Sequence, residues 1–289
     1  MDKKKLYSPS YIREIMSKYN FKFSKSLGQN FLIDGNILRK ICEEGQVSKK
    51  DDILEIGPGI GTLTEELSSR ANKVVAVELD KALIPILDET LKDCYNVEIV
   101  SGDILKIDLP KLFKEKFKNE NIKVVANLPY YITTPIIGKL LEDELDIDSI
   151  LVMVQYEVAE RMKASPGTKD YGSLSVFVQY YTEPEIIFSV PKTAFMPSPN
   201  VDSAVIELKI RKEKLELENR ERFFKVVKAA FSQRRKTILN SLSSGLKIEK
   251  DIIRDTLDKS GIDSKLRAEN LTIEEFSKIS AILPPFNIY

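Results

Sequence analysis

Short apolar runs alternate with amphipathic stretches along the first two-thirds of the chain, and each run stops at a polar or glycine-rich turn. Residues 52–56 form an apolar run that reads as a strand and leads into a glycine turn; 62–70 then carries helical periodicity. A second strand over 73–77 ends at Glu78, a helix over 83–91 follows, and a strand over 97–100 ends near Asp103. The next strand covers 123–126, within an apolar run that begins at Ile122, and Pro135 can start the helix expected over 134–141. A fifth strand at 150–154, a helix at 157–163, a sixth strand at 174–180 and an alternating final strand at 201–210 complete the series. Ahead of all these, 11–19 reads as a short helix followed by a basic loop. Strand–helix alternation implies an α/β domain with a mainly parallel sheet covered on both faces. Beyond Ile210 the pattern turns helical, with expected helices at 223–231, 235–242, 250–259 and 273–279. The expected division is therefore an α/β domain over 1–210 and a small all-helical domain over 211–289, joined by the charged segment 211–220.

Composition narrows the class. The chain has 289 residues and 43% hydrophobic content, enough for a main core and a smaller one. No run of apolar residues reaches the length of a membrane span, and the charged start Met1-Asp2-Lys3-Lys4-Lys5 is not followed by an apolar signal region. Cys42 and Cys94 stand far apart without metal-ligand spacing, which suits reduced thiols in a cytoplasmic protein and no metal site. There is no histidine at all, which excludes histidine bases, histidine triads and the common zinc sites. Net charge is zero, yet the charge is unevenly placed. Arg222, Lys225, Lys228, Arg234, Arg235, Lys236 and Lys247 lie in a stretch with no acidic residue, and the segment through Lys50 is also basic. Such a local patch is either a phosphate-binding face or a solvated helix face.

Two motifs carry candidate chemistry. Gly57, Gly59 and Gly61 follow the first strand, where glycine permits a tight turn and close approach to a ligand. Glu78 ends the second strand, 21 residues after Gly57, where a carboxylate can accept from ribose hydroxyls. The position of the third glycine in a dinucleotide fingerprint is Thr62 here, and Glu55 precedes the turn; this G-x-G-x-G form suits S-adenosylmethionine better than a nicotinamide nucleotide. Asp103 is either an acceptor for an adenine amine or a turn cap. Asn127-Leu128-Pro129-Tyr130 follows the strand at 123–126. The Asn127 amide oxygen and the Leu128 carbonyl, extended by the proline after it, make two acceptors suited to the N–H groups of an exocyclic base amine. Pro129 has no competing N–H, and Tyr130 offers a face on which a base can stack. A plain turn is the alternative reading of the four residues.

Five blocks together carry a resemblance. They are Ser26-Leu27-Gly28-Gln29-Asn30-Phe31-Leu32, Glu55-Ile56-Gly57-Pro58-Gly59-Ile60-Gly61, Asn127 to Tyr130, Tyr171-Gly172-Ser173-Leu174-Ser175-Val176, and Phe195-Met196-Pro197-Ser198-Pro199-Asn200-Val201-Asp202-Ser203. From about residue 23 to 271 the sequence resembles the rRNA adenine N6,N6-dimethyltransferases, and within them the small-subunit dimethyladenosine transferases. The resemblance implies a Rossmann-like methyltransferase domain and S-adenosylmethionine as cofactor. It implies that Asn30 and Leu32 close over the cofactor and that Asn127 is shared between cofactor and target. It offers Phe195 as a second stacking face, with packing of Phe195 against the core as the alternative; Phe31 is equally open to a core role. Residues 231–236 and the neighbouring Arg222, Lys225 and Lys228 would grip phosphates. The implied substrate is two adjacent adenines in a hairpin loop near the 3′ end of 16S rRNA, met by a monomer during small-subunit assembly. The alternatives are the sister class that methylates one adenine of large-subunit rRNA, an assembly factor acting mainly by binding, and a nicotinamide oxidoreductase.

Overall fold

The computed structural model describes residues 5–24, 27–119 and 121–286; Ser26 of the first block lies outside them, as do Met1 to Lys4. In chain order the elements are α1 (Pro9–Lys18), β1 (Phe31–Leu32), α2 (Gly35–Glu44), β2 (Asp52–Ile56), α3 (Thr62–Arg70), β3 (Lys73–Glu78) and α4 (Ile84–Thr90). Then come β4 (Val97–Ser101), α5 (Leu109–Lys116), β5 (Ile122–Asn127), α6 (Thr133–Glu142), β6 (Ser149–Gln155) and α7 (Tyr156–Lys163). The rest is α8 (Ser173–Tyr181), β7 (Thr182–Val190), β8 (Phe195–Met196), β9 (Ser203–Ile210), α9 (Arg220–Ala230), α10 (Ile238–Leu246), α11 (Lys250–Lys259) and α12 (Ile273–Ile282).

Seven strands form one sheet in the order β4-β3-β2-β5-β6-β9-β7. The run from β4 to β6 is parallel, and β9 closes onto β6 in antiparallel register, Ser149 opposite Lys209 and Gln155 opposite Ser203. Every residue of β2 is buried, as expected of a strand covered on both faces. Chain order reverses between β2 and β5, so the loops leaving their carboxyl ends diverge and open a crevice there. Beneath it Ile53, Leu67, Val74, Val125 and Leu151 pack into one apolar core.

Four findings differ from the sequence expectation. Residues 174–180 are not a strand: they lie in α8, begun where the Ser175 hydroxyl accepts the Gly172 N–H at 3.0 Å. The strand follows instead as β7, at the sheet edge, which is where Pro184 can be accommodated. Helices α2 and α5 were not expected; Asp34 and Asp108 cap them, accepting from Asn36 N–H at 2.8 Å and Lys111 N–H at 3.0 Å. The chain divides into two compact units, one running to Ala159 and including Glu185–Ile210, the other made of Glu160–Pro184 and the chain from Arg211. The second unit is thus made of two stretches of chain, and α8 groups with the helices that follow Arg211. In that unit Tyr171, Val176, Phe223, Leu257 and Phe276 share one core. No helix among the described residues is long and apolar enough to cross a membrane.

Candidate active site

The glycine turn between β2 and α3 is built from residues that need its backbone shape. Gly57, Gly59 and Gly61 have φ of +69°, +60° and +90°, a region that strains side-chain-bearing residues. At Gly59 a Cβ would also stand 2.9 Å from the Phe31 ring. Phe31 itself is buried, its ring centroid 5.1 Å from Phe23 and 6.4 Å from Phe21. It is a core residue whose ring supports the turn. Its neighbours Asn30 and Leu32 line the crevice, together with Gly57 and Gly59. Gly61 does not line it; it precedes α3, and a Cβ there would crowd Leu91 at 3.0 Å. What the structure shows for it is conformational: it lets the turn pass into α3.

The acidic side of the crevice comes from β3 and β4. Glu78 is buried and accepts Asp80 N–H at 2.7 Å and Gly59 N–H at 3.3 Å, so the carboxylate also braces the glycine turn. Burial pushes its carboxyl up to about 7 despite those two donors. Asp103 lines the same space and caps its own turn, accepting Leu105 N–H at 3.0 Å. Glu55, at 1% exposure, lines the crevice with one carboxyl oxygen lacking a partner, and burial pushes it up to about 8.

The opposite side is Asn127 to Tyr130. Asn127 ends β5, and its amide N–H donates to the Asn30 carbonyl at 3.2 Å, which leaves the amide oxygen as an acceptor. Leu128 N–H donates to Met153 C=O at 3.1 Å, which continues the β5–β6 ladder and holds the Leu128 backbone beside Asn127. The Pro129 carbonyl takes the Thr133 hydroxyl at 3.1 Å and Ile132 N–H at 3.2 Å, so the motif runs straight into α6. Tyr130 is half-buried, and its hydroxyl pairs with Ser203 at 2.5 Å, fixing the ring.

The target-side expectations fare unevenly. Phe195 is 3% exposed and packs in the core with Leu32 and Val205, so it offers no face to a base. Its backbone does the positioning: β8 pairs with β1, Leu32 opposite Phe195 and Phe31 opposite Met196. In the helical unit Lys228, Arg234, Arg235 and Lys236 are exposed, and Arg234 also donates to the Lys169 carbonyl. Lys225 is half-buried. Arg222 is committed internally: it donates to the carbonyls of Leu283 and Pro284 and lies over the Phe286 ring at 5.3 Å. A phosphate grip at Arg222 is therefore corrected to a tie between α9 and the chain after α12. Sequence reasoning passed over Gln29, Tyr131 and Ser203, whose roles depend on partners distant in the chain.

The profile of the family described as ribosomal RNA adenine dimethylase matches residues 20–284. The chain is 55% identical over 280 residues to the Ribosomal RNA small subunit methyltransferase A of Clostridioides difficile, covering 96% of this chain and 97% of that one. It is 54% identical over 278 residues to the protein of the same name from Alkaliphilus oremlandii, again covering 96% and 97%. Among solved structures, a dimethyladenosine transferase from Plasmodium falciparum superposes with a TM-score of 0.73 at 26% identity, over 86% of this chain and 95% of that one. The 23S rRNA methyltransferase ErmE superposes with a TM-score of 0.64 at 30% identity, over 88% and 99%.

Proposed function

The chain belongs to the ribosomal RNA adenine dimethylase family, and on that premise we propose that it transfers two methyl groups from S-adenosylmethionine to N6 of adenines in small-subunit rRNA. The observation that carries this reading is the oriented amide of Asn127 beside the Leu128 carbonyl at the mouth of the crevice. The cofactor fits the residues present. Gly57 and Gly59 make a cradle without side chains, Glu78 and Asp103 supply carboxylates for sugar hydroxyls and a base amine, and Asn30 and Leu32 close the wall. When bound, the cofactor supplies an electrophilic methyl group. The protein's own residues do the rest. An exocyclic amine has its lone pair conjugated into the ring; the Asn127 oxygen and Leu128 carbonyl accept its N–H groups, favour a pyramidal nitrogen and stabilise the charge developing on it. Tyr130, with its hydroxyl held by Ser203, gives the base a stacking face in fixed orientation. No histidine is required, because the nitrogen's proton becomes strongly acidic once attack has begun and leaves to water.

An adenine in a duplex hides its amine, so the substrate is an unpaired or splayed base. By family resemblance the targets are two adjacent adenines in a hairpin loop near the 3′ end of 16S rRNA, modified by a monomer in the cytoplasm as the small subunit matures. The exposed Lys228, Arg234, Arg235 and Lys236 supply sequence-independent affinity for the phosphate backbone. The test is a competition of labelled methyl transfer among small subunits lacking the modification, large-subunit rRNA and DNA. Label confined to small-subunit RNA is expected. Label in large-subunit RNA would favour the sister activity, and intact cofactor binding with no label would favour an assembly factor that works by binding.

A further inference from the structure

Residues 27–30 line the crevice and are fastened to both of its sides. On the acidic side, the Gln29 amide nitrogen donates to Asp80 Oδ2 at 2.8 Å, while the amide oxygen accepts Ser24 N–H at 2.7 Å. Both ends of the amide are engaged, so only one orientation of the side chain satisfies them. Asp80 sits in the turn that shapes Glu78: its other oxygen accepts Ala82 N–H at 3.0 Å, and its own N–H donates to Glu78 at 2.7 Å. On the opposite side, the Asn30 carbonyl accepts the Asn127 amide at 3.2 Å, and the Tyr131 ring lies so close to Gly28 that a Cβ there would stand 3.2 Å from it. The segment thus links the Glu78 turn to the Asn127 motif through one side-chain amide at one end and one backbone carbonyl at the other.

We propose that Gln29 is a positioning residue: its bond to Asp80 anchors residues 27–30 so that the Asn30 carbonyl holds the Asn127 amide with its oxygen toward the target amine. The proposal rests on the role given to Asn127 above. A bond between an amide and a carboxylate is charge-assisted and stronger than a neutral one. Without it the Asn30 carbonyl is free to shift, and the Asn127 amide loses the contact that distinguishes its oxygen from its nitrogen. The same bond ties this wall of the crevice to the Glu78 turn, so cofactor affinity depends on it as well.

The test exchanges the donor and the acceptor in the full-length protein. Gln29→Glu sets two carboxylates face to face, and Asp80→Asn sets two amide nitrogens face to face. In the double variant the new carboxylate accepts both from Ser24 N–H and from the new amide, while Ala82 N–H keeps its acceptor. Readouts are S-adenosylhomocysteine affinity by calorimetry, single-turnover methyl transfer to unmodified small subunits at saturating cofactor, and the melting temperature. Each single exchange is expected to slow transfer and weaken affinity by about tenfold or more, the size of one charge-assisted hydrogen bond, with little change in melting temperature. The double exchange is expected to return both to within about threefold of the wild type, because the two positions are coupled. Singles as fast and as tight as the wild type, or a double exchange no better than the singles, would overturn the role of Gln29. If the wild-type protein itself bound no S-adenosylhomocysteine, the reading of the crevice would fail, and the inference with it.

Discussion

An amide at the end of a parallel strand presents a donor and an acceptor, and at Asn127 the two ends differ: the N–H answers the Asn30 carbonyl, which turns the oxygen the other way as an acceptor. The carboxylates across the crevice are held differently, by burial. Glu55 is pushed up to about 8 and Glu78 up to about 7 because a charged carboxylate loses its water there. A carboxyl whose pKa rises on folding binds its proton more tightly in the folded chain. Stability is then greatest below the unfolded value, near 4.5, and falls as pH climbs to the folded value. Glu55→Gln keeps the shape and removes the charge. It is expected to raise the melting temperature by about 3 °C or more near pH 9, and by much less near pH 5. Melting curves at the two pH values check this; a variant that melts lower than the wild type at both contradicts the account.

The elements show which parts of the molecule a sequence pattern can carry. Strand β2 and helices α3 and α11 occupy the residues their patterns predict, because a buried parallel strand is a plain apolar run and an amphipathic helix keeps its period. Helix α8 does not follow its pattern. Its residues, Ser-Leu-Ser-Val-Phe-Val-Gln-Tyr-Tyr, are mostly β-branched and aromatic, yet burial of Leu174, Val176, Val178, Tyr180 and Tyr181 in the helical unit outweighs that bias. Its start depends on Ser175, which is fully buried and satisfies Gly172 N–H while donating to Arg161 C=O. Ser175→Ala strands both groups and is expected to cost about 1–3 kcal/mol. Hydrogen exchange should show it as faster opening of α8 and its neighbours, with β2 and β3 unchanged; equal loss of protection in both units would contradict it. The glycine turn, Glu78, Asp103 and the Asn127 motif were legible because each is local. Phe195 stays open in the sequence because an aromatic in a proline-rich loop reads alike whether it faces solvent or core; the structure puts it in the core. Gln29 was invisible because its partner lies 51 residues away.

At the scale of the whole molecule, 44 basic and 44 acidic residues cancel, so affinity for RNA has to come from where the charges stand. Among the residues expected to grip phosphates, the structure separates exposed cations from Arg222, which ties α9 to the chain after α12. Replacing Arg234, Arg235 and Lys236 together by Ala is expected to reduce the slope of log affinity against log salt by about 2, at roughly 0.7 per phosphate contact on single-stranded RNA. Arg222→Ala should leave that slope alone and lower the melting temperature instead. An unchanged slope in the triple variant would move the phosphate grip to another face.

The most direct measurement compares the wild-type protein and Asn127→Ala on small subunits that lack the modification, with labelled S-adenosylmethionine and nucleoside analysis of the RNA. The account predicts N6,N6-dimethyladenosine from the wild-type protein and none from the variant, at equal melting temperature. Dimethyladenosine formed by the variant at the wild-type rate would contradict it.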